Sequence, residues 1–219
     1  MRKHYWEVIY VYRISKDPDV RKNEILDTAE KLFMEKGYEK TTVGNIVNRI
    51  GVAKGTFYYY FESKESIIDS IIERRFKRAR EDADNIINNT ELNAIEKMEK
   101  LMWLLLNPSE EREKFFCSID FENNARIHQK RDVTFYRVFK KIVLNIVEEG
   151  ISDGFFNCKY YQDITEIVFI GIDKFMYINV KELKDKKVFF KKITAIQELL
   201  EKVLGIEKGS LDILGRKNY

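Results

Sequence analysis

Apolar residues recur at helical spacing through most of the chain, and short polar or glycine-containing segments separate these stretches. Between Thr42 and Ile50 they recur every three or four positions, and a new run begins after Gly51. This spacing places apolar side chains on one face of an α-helix. The chain has only 2 prolines in 219 residues and is rich in Lys, Glu, Leu and Ile. The pattern therefore predicts an all-α protein.

The segment 42–65 predicts two short helices, a glycine turn and the start of a third helix. Thr42 is a suitable N-cap, and Gly51 can adopt the positive φ of a tight reversal. The second helix, about 53–59, has only Phe57 to bury, so its other side chains would point outward. Ser63 would then cap the third helix. This arrangement is a helix-turn-helix.

The exposed groups of this segment suit the major groove of DNA. Lysine neutralises phosphate, glycine allows close backbone approach, threonine can reach a base edge, and tyrosine hydroxyls can bond phosphate oxygens. The N-terminus of the third helix could also hold a phosphate. The predicted DNA-binding residues are Thr42, Lys54, Gly55, Thr56, Tyr58, Tyr59 and Lys64.

The stretch from about residue 19 to residue 79 resembles the TetR-type transcriptional regulators. Two positions depart from the family's pattern: Ala53 replaces the usual capping Ser or Thr, at a cost of about 1 kcal/mol, and Tyr60 stands where the family often has His. The matching residues are Arg21, Ile25, Leu26, Ala29, Leu32, Phe33, Gly37, Tyr38, Thr41, Thr42, Val43, Ile46, Gly51, Val52, Lys54, Gly55, Thr56, Phe57, Tyr58, Tyr60, Phe61, Ser63, Lys64 and Glu65.

The resemblance implies an N-terminal three-helix helix-turn-helix DNA-binding domain, joined by a long helix to a C-terminal helical domain for ligand binding and dimerisation. We assign the DNA-binding domain to 17–79, with the motif at about 42–61, and the effector and dimerisation domain to 80–206. Residues 207–219 form a C-terminal tail. Residues 1–16 form an N-terminal extension that either docks on the body or stays mobile, and its Arg2 and Lys3 could contact phosphates.

The first helix should start at Asp17 and Pro18 and end at Gly37, and the long helix should run from Ser63 to about Asn88.

Five further helices are expected after residue 90. One should end at Asn107 and Pro108, Ser109 should start the next, and a long one should stop at Gly150. The last two should span about 163–181, capped by Asp163, and about 188–204, stopped by Gly205. The resemblance implies that these two helices pair with their copies in a four-helix bundle that forms a homodimer, and Gly171 would allow close helix approach.

The resemblance also implies a ligand pocket in the C-terminal domain, where aromatic residues suit a small hydrophobic or amphiphilic effector. Aromatic residues at helical spacing are nonetheless more often core. We expect His128 at the surface or as a polar lining residue, and we predict no metal and no cofactor because no cluster of ligands accompanies it. The candidate pocket residues are Trp103, Phe116, Phe121, His128, Tyr136 and Phe155.

Charge and cysteine content narrow the function only slightly. The net charge is +3, from 39 basic and 36 acidic residues, so only the local placement of charge can indicate a nucleic-acid partner. The basic run 74–80 is interpreted as a solvated helix face. Cys117 and Cys158 lack a Cys-x-x-Cys pair and are expected to be partly buried free thiols, with thiol sensing as the alternative.

Membrane and enzymatic functions are not supported by the sequence. No apolar run approaches the roughly 20 residues that span a bilayer, and free thiols fit a reducing compartment, so we expect a cytoplasmic protein. The chain lacks phosphate-loop, hydrolase-elbow and zinc-protease motifs, so we predict that it is not an enzyme.

The expected function is a homodimeric repressor that binds double-stranded operator DNA and is released by an effector. One alternative is an activator, or a regulator with a protein partner in place of a ligand. Another is a helical interaction module whose DNA-binding domain is vestigial.

Overall fold

The computed structural model describes residues 17–107, 114–115, 117–119 and 124–215, and regular structure in these ranges is entirely helical. The predictions for residues 1–16, Ser109, Phe116 and Phe121 lie outside the described residues. The helices are α1 (Pro18–Lys36), α2 (Val43–Ile50), α3 (Lys54–Tyr60), α4 (Lys64–Ile87), α5 (Ala94–Leu106), α6 (Ala125–Ser152), α7 (Tyr161–Ile178), a 3₁₀ turn (Glu182–Lys184) and α8 (Lys186–Leu204).

The boundaries of the first four helices follow from their capping residues. The Asp17 side chain accepts hydrogen bonds from the backbone N–H groups of Asp19 and Val20, with proline at the first helical position. Thr42 and Ser63 form capping boxes that start α2 and α4, and Gly51 ends α2 in the left-handed conformation at φ 77°. Because each cap satisfies backbone groups that a helix end leaves unpaired, these predicted boundaries are confirmed to within about one residue.

The helices α1, α2 and α3 pack on the first half of α4 around a fully buried core. Phe33 of α1, Ile46 of α2, Phe57 of α3 and Ile68 of α4 are each 0% exposed. Phe57 is the only residue of α3 that is buried. Phe57 therefore anchors the short helix α3, Tyr60 packs partly buried against the same core, and Lys54, Gly55, Tyr58 and Tyr59 stay exposed.

The long helix α4 leaves this unit and packs lengthwise against α6. The Phe76 ring of α4 meets Phe135 and Phe139 of α6 edge-on, and Phe135 in turn stacks on Phe169 of α7 with ring centroids 5.0 Å apart. Helices α5, α7 and α8 complete the C-terminal domain. A movement of the Phe169 ring in α7 would therefore act on Phe135 of α6, which contacts Phe76 of α4.

Three predicted boundaries in the C-terminal domain are wrong. Gly150 does not end α6, which continues to Ser152; instead the Phe156 ring occupies the space that a Cβ at residue 150 would need. The turn is made at Gly154, at φ 79°. Helix α7 starts at Tyr161, before the predicted cap Asp163, and ends at Ile178.

The start of α8 and the C-terminal segment also differ from expectation. Helix α8 starts at Lys186, two residues before the predicted start, and Asp185 is its N-cap. Residues 207–215 of the predicted tail pack on the domain, where Leu211 and Ile213 are buried. The Glu201 carboxylate accepts hydrogen bonds from the backbone N–H groups of Gly209 and Leu211. Because local helical patterns do not reveal such a return of the chain, the sequence suggested only a tail.

The basic run on α4 is only partly a solvated face. Arg74 donates to Asp27 at 2.7 Å and to Glu30 at 2.6 Å, and Arg75 pairs with the same Glu30. Both arginines therefore link α4 to α1, while Arg80 pairs along its own helix with Asp84. No helix within the described residues is both long and apolar enough to cross a bilayer.

Candidate nucleic-acid interface and effector site

One face of α3 is exposed to solvent. Tyr58 is 56% exposed and Tyr59 is 78% exposed. Lys54 and Gly55 are exposed, Thr56 is half-buried, and a Cβ added at Gly55 would meet no other described atom within 4 Å. The structure thus brings five of the seven predicted DNA-binding residues together on one short helix.

The orientation of α3 is set by the turn before it and by the Phe57 anchor. The backbone N–H groups of Gly51 and Val52 both donate to the Val47 carbonyl, at 2.9 and 3.0 Å. Ala53 starts α3 without a side-chain cap, as expected from the sequence. The Phe57 ring lies 6.1 Å from the buried Phe61 ring, measured between centroids. The helix is therefore positioned by turn geometry and aromatic packing rather than by its own cap.

The other two predicted DNA-binding residues already have partners within the protein. The Thr42 hydroxyl accepts from the Asn45 backbone N–H at 3.2 Å, which caps α2. The Lys64 ammonium donates to the Tyr38 carbonyl at 3.0 Å and lies 4.1 Å from the Tyr38 ring centroid. The contacts of Thr42 and Lys64 with DNA stay predictions. Both residues also have a structural role, which the sequence indicated only for Thr42.

Ion pairs connect the DNA-binding half of α4 to α6. Arg126 pairs with Asp69 at 3.0 Å, and Glu73 accepts from Lys130 at 2.7 Å and from Arg137 at 2.5 Å. Burial alone would raise the pKa of Glu73, but hydrogen bonds from Lys130 and Arg137 hold it below its usual value. These ion pairs add to the aromatic packing between α4 and α6.

The short described stretch between α5 and α6 contacts the DNA-binding domain directly. The Tyr38 backbone N–H donates to the Ser118 carbonyl at 3.0 Å. The Arg75 guanidinium lies 4.3 Å from the Phe115 ring centroid. A displacement in the C-terminal domain can therefore be transmitted through these contacts as well as along α4.

Of the predicted pocket residues in the described ranges, Tyr136 lines the outer cleft described below, whereas Trp103, His128 and Phe155 line neither that cleft nor the inner cavity. Trp103 lies partly exposed against Phe189, Phe155 is exposed in the turn after α6, and the Tyr136 hydroxyl donates to Glu166. Phe116 and Phe121 lie outside the described residues. The expectation for His128 is wrong, because its side chain is buried and hydrogen-bonds through Nδ1 to the Tyr177 hydroxyl.

Two neighbouring cavities in the described part of the C-terminal domain share the Phe169 side chain. The inner cavity has a volume of about 20 Å³, which is room for about one water molecule. The outer cleft between α6 and α7 has a volume of about 400 Å³. Met98, Met102, Val143, Val147, Cys158, Ile164, Thr165, Val168, Phe169, Ile172, Leu200, Val203 and Leu204 line the inner cavity. Asp132, Val133, Phe135, Tyr136, Phe169, Ile170, Asp173 and Lys174 line the outer cleft.

A buried ion pair beside the outer cleft was missed by the sequence reasoning. Arg131 is 2% exposed, pairs through both terminal nitrogens with Asp173, and lies 4.1 Å from the Tyr177 ring centroid. Burial opposes the charge of Arg131, but the bonds to Asp173 raise the pKa of Arg131. Because the two residues lie 42 positions apart, no local pattern could have indicated their pairing.

The cysteines and the possible metal ligands offer no further site in the described part of the chain. Cys117 is exposed, contrary to the expectation of partial burial, and Cys158 is half-buried. No group of three or more His, Cys, Asp and Glu side chains in the described ranges could hold a metal ion.

Helix α3 is short, faces outward and follows Gly51, which has the left-handed conformation, and α1 and α2 brace it. This arrangement defines a helix-turn-helix DNA-binding protein. The family model of the bacterial regulatory proteins of the tetR family matches residues 25–71. Residues 25–71 therefore form the TetR-type DNA-binding domain that the resemblance of the motif predicted. The match to this family of regulatory proteins also supports the prediction that the chain is not an enzyme.

Individual relatives agree with this assignment. The HTH-type transcriptional repressor KstR2 of Rhodococcus jostii is 44% identical over 52 residues, which are 24% of this chain and 26% of that protein. The HTH-type transcriptional regulator YhgD of Bacillus subtilis is 28% identical over 135 residues, 61% of this chain and 69% of that protein. The Bacillus subtilis regulator FadR in complex with stearoyl-CoA shares the fold, with a TM-score of 0.62, 23% identity and coverage of 84% of this chain and 99% of that one.

Proposed function

We propose that the protein is a homodimeric repressor that leaves its operator when a hydrophobic or amphiphilic effector binds the C-terminal domain. The observation that carries the proposal is the exposed face of α3, where Lys54, Tyr58 and Tyr59 are exposed beside Gly55. Exposed tyrosine side chains can bury an apolar ring and form a hydrogen bond when a partner covers them, and this mixture of cation, hydroxyl and open backbone suits DNA. Relatives that are named repressors support the sign of regulation.

An apolar stripe on α7 supports dimerisation through the last two helices. Ile167 is 70% exposed and Ile178 is 58% exposed, and Ile170 and Phe175 are exposed between them. Gly171 lies in the same stripe, and a Cβ there would meet no other described atom within 4 Å. Phe190 and Leu199 add exposed apolar surface on α8. A contiguous apolar face of this kind is typical of a protein interface.

A dimer would present two copies of α3 to one side of a DNA duplex. Recognition helices placed about 34 to 36 Å apart read half-sites one helical turn apart. Because each protomer contributes its own contacts, the dimer binds far more tightly than one protomer can.

The outer cleft is the better candidate for the polar part of an effector. Its volume of about 400 Å³ falls within the size range of ligand pockets, whereas the inner cavity is too small for a ligand. Movement of Phe169, which lines both, would join the inner apolar walls to the cleft. The complex of a fold relative with stearoyl-CoA supports an amphiphile with an extended apolar part.

Coupling between effector and DNA follows from the packing around Phe169. Its ring stacks on Phe135, which meets Phe76 of α4. Because α4 also carries the ion pairs to α6, a ligand that displaces Phe169 would favour a different position of the DNA-binding domain. The ligand shifts the equilibrium only as far as its affinities for the two arrangements differ.

Footprinting on the DNA upstream of the protein's own gene tests the DNA-binding part of the proposal. Lys54→Ala and Tyr58→Ala should each weaken the footprint about tenfold or more, since a good contact contributes roughly 1 to 3 kcal/mol. Lys77→Ala, which removes an exposed lysine of α4, is the matched control and should leave the footprint unchanged. Undiminished binding in both α3 variants would refute the assignment of this face.

A thermal-shift screen of amphiphiles and metabolites tests the effector part. A true effector should raise Tm and weaken operator binding in the same concentration range, because it binds one arrangement preferentially. Phe169→Trp should reduce both effects by filling the shared wall, whereas Phe155→Trp, on an exposed turn, should not. A screen that yields no such compound would favour a regulator that responds to a protein partner.

A further inference from the structure

A lysine-rich segment joins α7 to α8. Residues 181–192 contain six lysines and two carboxylates, while the whole chain has a net charge of only +3. Lys181, Lys186, Lys187 and Lys191 are exposed, and none of these four forms an ion pair with another residue in the described ranges. We call these four residues the basic patch. Lys192 differs, since it pairs with Glu182 and lies 4.6 Å from the Phe175 ring centroid.

The basic patch lies at the end of the C-terminal domain that carries the DNA-binding domain. Helix α6 begins at this end, where Arg126 pairs with Asp69 of α4. Helix α7 runs back along α6, so its last turns reach the same level, and Tyr177 contacts His128 there. The chain then enters the lysine-rich segment directly.

The first turns of α8 lie at the same end. Phe189 contacts Trp103 near the end of α5, at a centroid distance of 6.3 Å. The chain beyond α5 goes on to Phe115 and Ser118, which contact Arg75 and Tyr38 of the DNA-binding domain. Two independent sets of contacts therefore place the basic patch at the end of the C-terminal domain that adjoins the DNA-binding domain.

Helix stability does not explain these lysines. Lys186 and Lys187 occupy the first turn of α8, which contains no acidic residue. The N-terminal end of a helix carries a partial positive charge, so cations there are unfavourable. The Asp185 cap offsets one charge only. Their exposed positive charges instead suit an anion outside the chain.

We propose that the basic patch contacts the DNA sugar-phosphate backbone between the two half-sites when the dimer is bound to its operator. This rests on the proposed function, because pairing through the exposed Phe190 of α8 would bring the two patches together near the two-fold axis. Like charges brought together repel, and a phosphate backbone between them removes that cost. Contacts of this kind read no sequence and add equally to binding of any duplex.

The salt dependence of DNA binding tests the proposal. The patch variant combines Lys181→Gln, Lys186→Gln, Lys187→Gln and Lys191→Gln. The control variant combines Lys100→Gln, Lys141→Gln, Lys159→Gln and Lys202→Gln, which removes the same charge from four other exposed lysines. Affinity for the operator and for a scrambled duplex is measured between about 50 and 200 mM salt, because each phosphate contact adds about 0.9 to the slope of log affinity against log salt.

The patch variant should remain a dimer with an unchanged footprint. Its slope should be lower by about 2 or more on both duplexes, and the ratio of operator to scrambled affinity should stay constant. The control variant should behave as the unmodified protein does. Equal slopes for the two variants would overturn the proposal. The proposal would also fail if the patch substitutions changed only the binding of the protein to vesicles with anionic lipid. If no footprint is found, the proposed function fails. The salt dependence of binding to the scrambled duplex would still show whether the basic patch contacts phosphates.

Discussion

Two exposed surfaces of this protein, one on α3 and one on α7, differ in the chemistry of their side chains. On α3 the exposed groups are Lys54, Tyr58 and Tyr59, each with a polar atom at its tip, beside an open glycine. On α7 they are the purely apolar side chains of Ile167 and Ile178 and their neighbours. The first set can satisfy phosphates and base edges, whereas the second can only bury hydrocarbon.

The comparison shows that exposure alone does not identify a partner. No described residue of the protomer covers either surface, but only polar tips can replace the hydrogen bonds that DNA makes with water. An apolar stripe gains most from an equally apolar surface, which a second copy of the same helix supplies by symmetry. The predictions below test whether each surface has the partner that its chemistry favours.

The largest effect is expected from charge placed on the apolar stripe of α7. Ile167→Glu combined with Ile170→Glu should yield monomers in analytical ultracentrifugation, because carboxylates would be buried without partners. Operator affinity should then fall by about 10² to 10⁴, the usual gain from bivalent binding. Phe155→Glu, which charges an exposed aromatic residue away from the stripe, is the control. If the double variant is still a dimer, the apolar stripe of α7 is not the dimer interface.

The anchor of α3 should matter for folding, and its exposed face should not. Phe57 is 0% exposed, so Phe57→Ala should lower the free energy of unfolding by about 3 to 5 kcal/mol. Tyr59→Ala on the opposite side of the same helix should change it by less than about 0.5 kcal/mol. Urea denaturation followed by circular dichroism measures both. Similar losses in the two variants would mean that the exposed face is part of the fold.

The missing cap of α3 predicts a gain in stability. Ala53 offers no side-chain acceptor at the start of the helix. Ala53→Ser should add about 1 kcal/mol to the free energy of unfolding, because the hydroxyl can accept a backbone hydrogen bond. Ala53→Val, which cannot cap, should give no such gain in the same urea titration. An identical response of both variants would show that the turn at Gly51 already fixes the helix start.

The smallest effect concerns pH and the contacts between the domains. The lowered pKa of Glu73 means that its carboxylate stabilises the folded state above its unfolded-state pKa and loses this contribution as the pH falls through the lowered value. Glu73→Gln should therefore lower Tm slightly near neutral pH, and the difference should shrink as the pH falls below the ordinary pKa of 4.5 and vanish below the lowered folded-state value. Partial exposure and salt screening keep the effect small. A difference in Tm that persists in acid would assign it to packing instead.

The sequence predicted the DNA-binding domain closely because its signals are local. The caps Asp17, Thr42 and Ser63 and the left-handed Gly51 act within a few residues, and each lies where the structure has it. The C-terminal domain was predicted less well. Gly150 accommodates the Phe156 ring within a helix, and Leu211 is buried by a return of the chain.

The candidate sites divide in the same way. The exposed face of α3 could be predicted from one motif, because its residues lie on one short helix. The cavities depend on Phe169 and on side chains from four helices, and His128 is buried by Tyr177, 49 positions away. Such long-range packing has no signature in a single sequence, so aromatic content suggested a pocket without locating it.

The account depends most on the claim that duplex DNA covers the exposed face of α3. The decisive measurement is the operator affinity of a variant that combines Lys54→Ala and Tyr58→Ala, compared with the unmodified protein at fixed salt and with dimer and helix content verified. We predict that this affinity falls by about 10-fold to 1,000-fold, since each lost contact costs roughly 1 to 3 kcal/mol. An unchanged affinity in a folded, dimeric variant would contradict the account.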